Sequence, residues 1–231
     1  MTRRPGPADR RREAVLGEVR RSLGVRGDEA ARRAIVKGRL ENHPSGTIPE
    51  RGREAPFKRV ETFIEMARAA DATTARVRHK DEVLPAVIAF LRSRKLPGDV
   101  VHGSDAYIES LDWHRHKDIN PHLGAPAPED QVSLAKAFGG VAETGTLIMV
   151  SGPENPITLN FLPFTEIVIV EAKDIAGNYE SVWERLRAER GAGNMPRSVV
   201  WVTGPSRSAD IGQKLLLGAH GPGNLHIIIV G

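Results

Sequence analysis

The spacing of apolar positions along this chain changes character more than once. Near the start, Ala14, Val15, Val19 and Leu23 recur at helical spacing among charged residues and predict an amphipathic helix. Glycines at 24 and 27 interrupt it, and a second helix is predicted over about 28–40, with Asp28 as its cap. Residues 44–56, rich in proline and glycine, read as a linker. Val60, Phe63, Ile64, Ala67 and Ala70 then mark one face of a further helix. A short strand over 75–79, a helix over 81–94 and a strand over 99–101 follow; residues 111–128 show no period. A helix is predicted over 129–138, from Val132, Leu134, Ala135 and Phe138.

The second half reads differently. Residues 147–151, 166–171, 199–202 and 226–230 are unbroken apolar strands, the pattern of strands buried on both faces. Helices are predicted between them, over 175–190 and after the Gly204-Pro205 turn. Strands alternating with helices indicate an α/β fold: a three-layer α/β/α arrangement around a mostly parallel sheet, preceded by a helical extension. The expected division is a basic extension and linker over 1–59 and an α/β domain over 60–231. In such sheets ligands sit outside the carboxyl ends of the strands.

Charge changes the picture of the N-terminal part. The chain has 231 residues and a net charge of +4 from 33 Lys/Arg and 29 Asp/Glu. Residues 1–60 hold 16 of the basic and 8 of the acidic residues, so a basic arm precedes a mildly acidic body. Such an arm suits nucleic acid, an acidic partner or a second subunit. It lacks interleaved aromatics and any nucleic-acid motif, which favours a solvated helical face that aids homo-oligomer formation over nucleic-acid binding. Cysteine is absent, which removes disulfides, thiolate cluster ligation and a cysteine nucleophile from this chain. No apolar run reaches the roughly 18 residues of a membrane span. A cytoplasmic location without membrane attachment is expected.

Candidate chemistry gathers in two stretches. Ser206, Arg207, Ser208 and Asp210 follow Gly204 at the predicted start of a helix, and His220, Asn224 and His226 lie beyond its end. A helix N-terminus offers free N–H groups to an anion, whereas Ser206 or Ser208 equally serves as a plain cap. Earlier, Glu143, Thr144, Gly145 and Thr146 sit in a glycine-rich loop over 139–146. It matches neither a dinucleotide fingerprint nor a P-loop, and a turn needing positive φ accounts for its glycines as well as a ligand does. Glu143 has either a structural hydrogen-bonding role or an acid–base one. His102, His114, His116 and His122 hold no recognised ligand spacing and read as surface or loop histidines; no metal or other cofactor is expected.

The motifs Ala142-Glu-Thr-Gly-Thr-Leu147, Leu162-Pro163 before a strand, Thr203-Gly-Pro-Ser-Arg-Ser-Ala-Asp-Ile211, Leu217-Gly-Ala-His-Gly-Pro222 and Leu225-His226 occur in this order. Together they resemble the LUD domain family, in particular its lactate utilization C type members. The resemblance implies a fold of the NagB/RpiA/CoA-transferase-like kind and an auxiliary role in a cytoplasmic system that oxidises L-lactate to pyruvate beside iron–sulfur subunits. It makes the 203–226 segment, with the 143–146 loop as companion, the site of a small anionic ligand. The alternative is a stand-alone enzyme of the same fold acting on an acyl or phosphorylated small molecule, with Glu143 as nucleophile or base. Where the family pattern carries a His before the strand, this chain has Phe164-Thr-Glu166, and where it carries an Arg after Pro222, this chain has Gly223.

Overall fold

The computed structural model describes residues 6–191, 193–209 and 215–231 and divides into two compact units, Met1–Thr47 and Ile48–Gly231. In the first, α1 (Pro7–Ser22) and α2 (Ala30–Asn42) carry no buried residue. Proline opens α1 at a position where its missing N–H costs nothing. Residue 29, not Asp28, is the N-cap of α2. The second unit begins ahead of the expected boundary. Residues 50–53 form a 3₁₀ turn in which the Gly52 carbonyl accepts a 2.8 Å hydrogen bond from Asn178 Nδ2.

The body is built on six parallel strands. In chain order these are β1 (Thr73–Val77), β2 (Asp99–His102), β3 (Asn120–Leu123), β4 (Val132–Lys136), and, further on, Thr165–Glu171 and Asn224–Val230. Between these last two groups lie β5 (Gly139–Val141) and β6 (Thr146–Val150), so Thr165–Glu171 is β7. After it come β8 (Ile175–Ala176), β9 (Val199–Val202), β10 (Arg207–Ala209) and β11 (Leu215–Leu217), making Asn224–Val230 β12. The central sheet has the order β1-β12-β7-β4-β2-β3 with every pair parallel. Its middle strands are buried along nearly their whole length and mostly apolar, as expected for strands covered on both faces.

One face packs on α4 (Val83–Arg94) and the short α5 (Ala106–Glu109), through Val83, Leu84, Val87, Phe90 and Ile108 against Leu134, Ile167, Ile169 and Ile228. The other packs on α3 (Pro56–Ala69), whose Val60, Phe63 and Ala67 meet Ala135, Val168, Val170 and Ile227. Burying a side chain such as Phe63 stabilises the fold by about 1.5–3 kcal/mol. The mostly parallel α/β sheet flanked by helices is therefore as the strand pattern indicates. The same flank also holds a second sheet, β8-β5-β6-β9, whose outer side is covered by α6 (Tyr179–Arg190) through Val182 and Leu186.

Two predicted helices are strands. Residues 132–136 form β4, because Val132, Leu134 and Ala135 are all buried in the middle of the sheet rather than on one helical stripe. A short apolar run does not distinguish these cases by period alone. After the 203–206 turn, β10 and β11 pair antiparallel, Arg207 opposite Leu217, so the described residues there form a hairpin instead of a helix. The connecting residues 210–214, including the candidate Asp210, lie outside the described residues.

Candidate functional site

The 203–226 segment frames a cavity of about 570 Å³. Its wall comes from the end of β9 and the turn after it (Trp201, Thr203, Gly204, Ser206, Arg207), from His220 to Pro222, and from Leu225. The floor is Glu166 and Asn160. Glu166 and Leu225 are register partners at the amino ends of β7 and β12. The cavity thus lies at the amino ends of the parallel strands, opposite to the address expected for an open α/β sheet. The turn at 203 does follow a carboxyl end, but that strand, β9, belongs to the second sheet.

Glu166 is the feature that residue-by-residue reading of the sequence missed as a site. Its side chain is fully buried. Oε1 accepts a 2.5 Å hydrogen bond from Asn160 Nδ2, while Oε2 and Asn160 Oδ1 have no partner among the described residues. Burial raises its carboxyl to about 7, although the Asn160 hydrogen bond favours the ionised form. The signal available was a carboxylate inside an otherwise apolar strand, Thr165-Glu-Ile-Val-Ile-Val170. Nothing in the sequence marks Asn160, which a 3₁₀ turn over 157–160 brings beneath the strand.

The candidates read from the sequence divide into three groups. Gly204, Ser206, Arg207 and His220 line the cavity. Ser206 is held by its own backbone, donating to Pro222 O at 2.8 Å and accepting from Gly218 N at 3.0 Å, and its Oγ accepts from His220 N at 3.4 Å. Arg207 is partly committed elsewhere: Nη2 donates to Ala70 O at 2.7 Å and contacts Asp71 Oδ2 at 2.5 Å. The absence of a helix start removes the dipole argument for an anion cradle and leaves side-chain donors to meet one. Ser208 lies in β10 but does not line the cavity.

The second group is the 143–146 loop. β6 runs antiparallel to β9, so the start of one strand meets the end of the other. Thr146 Oγ1 lies 2.7 Å from Thr203 Oγ1 and 2.9 Å from the Tyr179 hydroxyl, and Thr144 Oγ1 lies 2.7 Å from Thr146 Oγ1. This hydroxyl chain reaches the cavity only through Thr203. Glu143 is buried outside the cavity, where Oε1 accepts from Tyr179 N at 3.3 Å. Gly145 and Gly204 have φ of +65° and +72°, and a Cβ at either would fall 2.2 Å from Ala67 N or 2.0 Å from Ala70 O. Both glycines let their turns close on the end of α3, a packing requirement rather than a ligand contact.

The third group is remote. His226 faces the opposite side of the sheet, stacked on Phe90 at 4.0 Å, with Nδ1 2.8 Å from Thr73 Oγ1. Burial, then the charge of Arg94, lowers its imidazole to about 4. His102 stacks on Trp113 and His122 contacts Asp130 at 2.9 Å; among the described residues no group of His, Asp and Glu suits a metal ion. Nor does any described helix have the length and apolarity to cross a membrane.

The two departures at 164 and 223 turn out to be neighbours. A Cβ on Gly223 would fall 2.3 Å from Phe164 Cζ, so the phenyl ring fills the space that any side chain at 223 would take. Gly218 meets the same ring, 2.7 Å from where its Cβ would lie.

Residues 60–230 match the LUD domain. An uncharacterized protein of Neisseria meningitidis is 36% identical over 92 residues, 39% of this chain and 38% of that protein. Lactate utilization protein C of Geobacillus thermodenitrificans is 34% identical over 105 residues, 44% of this chain and 43% of that protein. Its counterpart in Geobacillus kaustophilus is 33% identical over 117 residues, 48% of each. The chain thus spans less than half the length of these curated relatives. A crystal structure of a DUF162 family protein from Deinococcus radiodurans shares the fold, with a TM-score of 0.58 at 17% identity over 77% of this chain and 99% of that one.

Proposed function

The chain belongs to the LUD domain family, and from that premise we propose that it is an auxiliary subunit of a cytoplasmic system that oxidises L-lactate or a closely related 2-hydroxy acid. The cavity above Glu166 holds the small anionic substrate or product, and partner iron–sulfur subunits carry the electrons. The reading is supported by relatives bearing the name lactate utilization protein C. Its carrying observation is the cavity itself, where Ser206, Arg207 and His220 offer donors to a carboxylate. This chain has no cysteine with which to ligate a cluster, so electron transfer falls to partners. Phe161 lines the cavity and continues into exposed Leu162 and Phe164, an apolar rim suited to a protein surface.

A stand-alone enzyme using Glu143 finds less support. That carboxylate is occupied by a backbone N–H and lies outside the cavity. Affinity purification of the tagged chain from cells grown on lactate tests the proposal. Iron–sulfur proteins should be retained with it, and deletion should abolish growth on lactate alone. Turnover of an acyl-CoA or a phosphosugar by the isolated chain, lost in Glu143→Gln, would replace this reading with the enzyme one.

A further inference from the structure

Two cavities in the described part of the molecule lie at opposite ends of the parallel strands. In the cavity at the carboxyl ends of β4 and β7, several charged groups pair with one another: Lys136 and Lys173 with Glu171, Arg185 with Asp174. In the cavity above Glu166, a fully buried carboxyl has one oxygen bound to Asn160 and the other without a partner among the described residues. A buried polar atom without a partner is costly, and native structures keep such atoms chiefly where a ligand or water completes them.

We propose that Glu166 reads the oxidation state of the ligand at its second carbon: its free oxygen, Oε2, accepts a hydrogen bond from the hydroxyl of a 2-hydroxy acid when ionised, and donates one to the carbonyl of a 2-keto acid when protonated. The inference rests on the functional reading above and deepens it. Ser206, His220 and the uncommitted donors of Arg207 meet the carboxylate that both acids share. The reading of the second carbon falls to Glu166, because no other acidic side chain lines the cavity among the described residues. Asn160 is a positioning residue. By occupying Oε1 it leaves Oε2 as the atom that changes role.

The setting of Glu166 makes this exchange of roles accessible near neutral pH. Burial brings the carboxyl to about 7, so both forms are populated there. The side chains facing it across strands are Ser133 of β4, bonded to Leu159 O, and Leu225 of β12, neither of which titrates. Arg207 and His220, across the cavity, are the charged or titratable groups among the other described lining residues. Their charge acts on the carboxylate common to both ligands and cancels when the two acids are compared.

The test is the ratio of L-lactate to pyruvate affinity, measured by ligand-observed NMR on the full chain between pH 5.5 and 8.5. The ratio should rise roughly tenfold with pH across the neutral range, the scale of one hydrogen bond to a charged group. In Glu166→Gln, whose amide both donates and accepts, both acids should bind with a ratio independent of pH. Asn160→Leu gives a second, independent reading: losing a hydrogen bond that favours the ionised carboxyl should move the rise to higher pH. Binding of both acids with a flat ratio in the native chain would overturn the role of Glu166 while leaving a 2-hydroxy acid site standing. Binding of neither acid at any pH would overturn the site as well.

Discussion

The two polar cavities of the body teach how a site differs from a structural cluster. At the carboxyl ends of β4 and β7, Lys136 Nζ lies 3.3 Å and Lys173 Nζ 2.8 Å from Glu171 Oε2, and Arg185 bonds Phe138 O at 2.6 Å. Burial acts to raise the Glu171 carboxyl, yet Lys173 and Lys136 together hold it below its ordinary value. The lysines and the arginine nearest the strand ends there each face a carboxylate. At the amino ends of β7 and β12, Glu166 is the one acid that lines the cavity among the described residues; burial prevails there and its carboxyl rises. The cavity with more charges is thus paired in large part within the protein, whereas Glu166 Oε2 is buried with no partner among the described residues. Position relative to strand ends, the usual guide in α/β sheets, points instead to the carboxyl-end cavity.

The largest effect should come from the pH dependence of stability. Glu166 has a folded value raised from 4.5 to about 7, so its protonated form stabilises the fold fully below 4.5, and that contribution of about 3 kcal/mol is lost as pH rises through 7. His226 has a folded value lowered from 6.5 to about 4, so its contribution, also about 3 kcal/mol, is present above 6.5 and lost as pH falls through 4. The slopes oppose each other and largely cancel between about pH 4.5 and 6.5. Urea denaturation of Glu166→Gln should expose stability rising with pH over that range, and His226→Leu should expose the reverse. The slope, rather than the midpoint, is the readout, since either substitution also alters packing. Unchanged slopes would show that Glu166 finds a counter-charge and would erase the contrast between the cavities.

Breaking the matched cluster should cost less and leave ligand binding alone. Lys136→Met removes one of two partners of Glu171 and should destabilise by about 1 kcal/mol, with the lactate and pyruvate affinities as in the native chain. A change in either affinity would make the carboxyl-end cavity part of the site. Arg207→Ala probes the border between the two kinds of group. It should weaken binding of both acids severalfold, with a stability loss of at most about 1 kcal/mol from the exposed contact to Asp71. Strong destabilisation with native affinity would assign Arg207 to anchoring the end of α3 alone. The smallest effect is expected for Lys173→Ala, within about 0.5 kcal/mol, because the more buried Lys136 still faces Glu171.

Much of this architecture is legible in the sequence because its strands are continuous apolar runs. Residues 166–171, 199–202 and 226–230 are recognisable as strands without any structure. What they do not reveal is which sheet each joins: β9 is as apolar as β7 but pairs antiparallel with β6. The strand at 132–136 is mistaken for a helix because Val132, Leu134, Ala135 and Phe138 fit a helical face as well as a strand. The helix expected after Gly204-Pro205 is replaced by β10 and β11, whose pairing depends on long-range closure at Ser206, Gly218 and Pro222. The candidate site was found in outline through Ser206, Arg207 and His220. Its floor was not, because Glu166 stands out only once its burial and the unpartnered Oε2 are seen among the described residues.

The most direct test of that unmatched carboxyl is its own titration. Carbon-detected NMR of the Glu166 side chain, assigned by comparison with Glu166→Gln, reports the midpoint in the free chain and with saturating L-lactate or pyruvate. A midpoint near 7 is expected in the free chain, moving down with L-lactate, which favours the ionised form, and up with pyruvate, which favours the protonated one. A midpoint in the ordinary carboxylate range, unmoved by either acid, would contradict it.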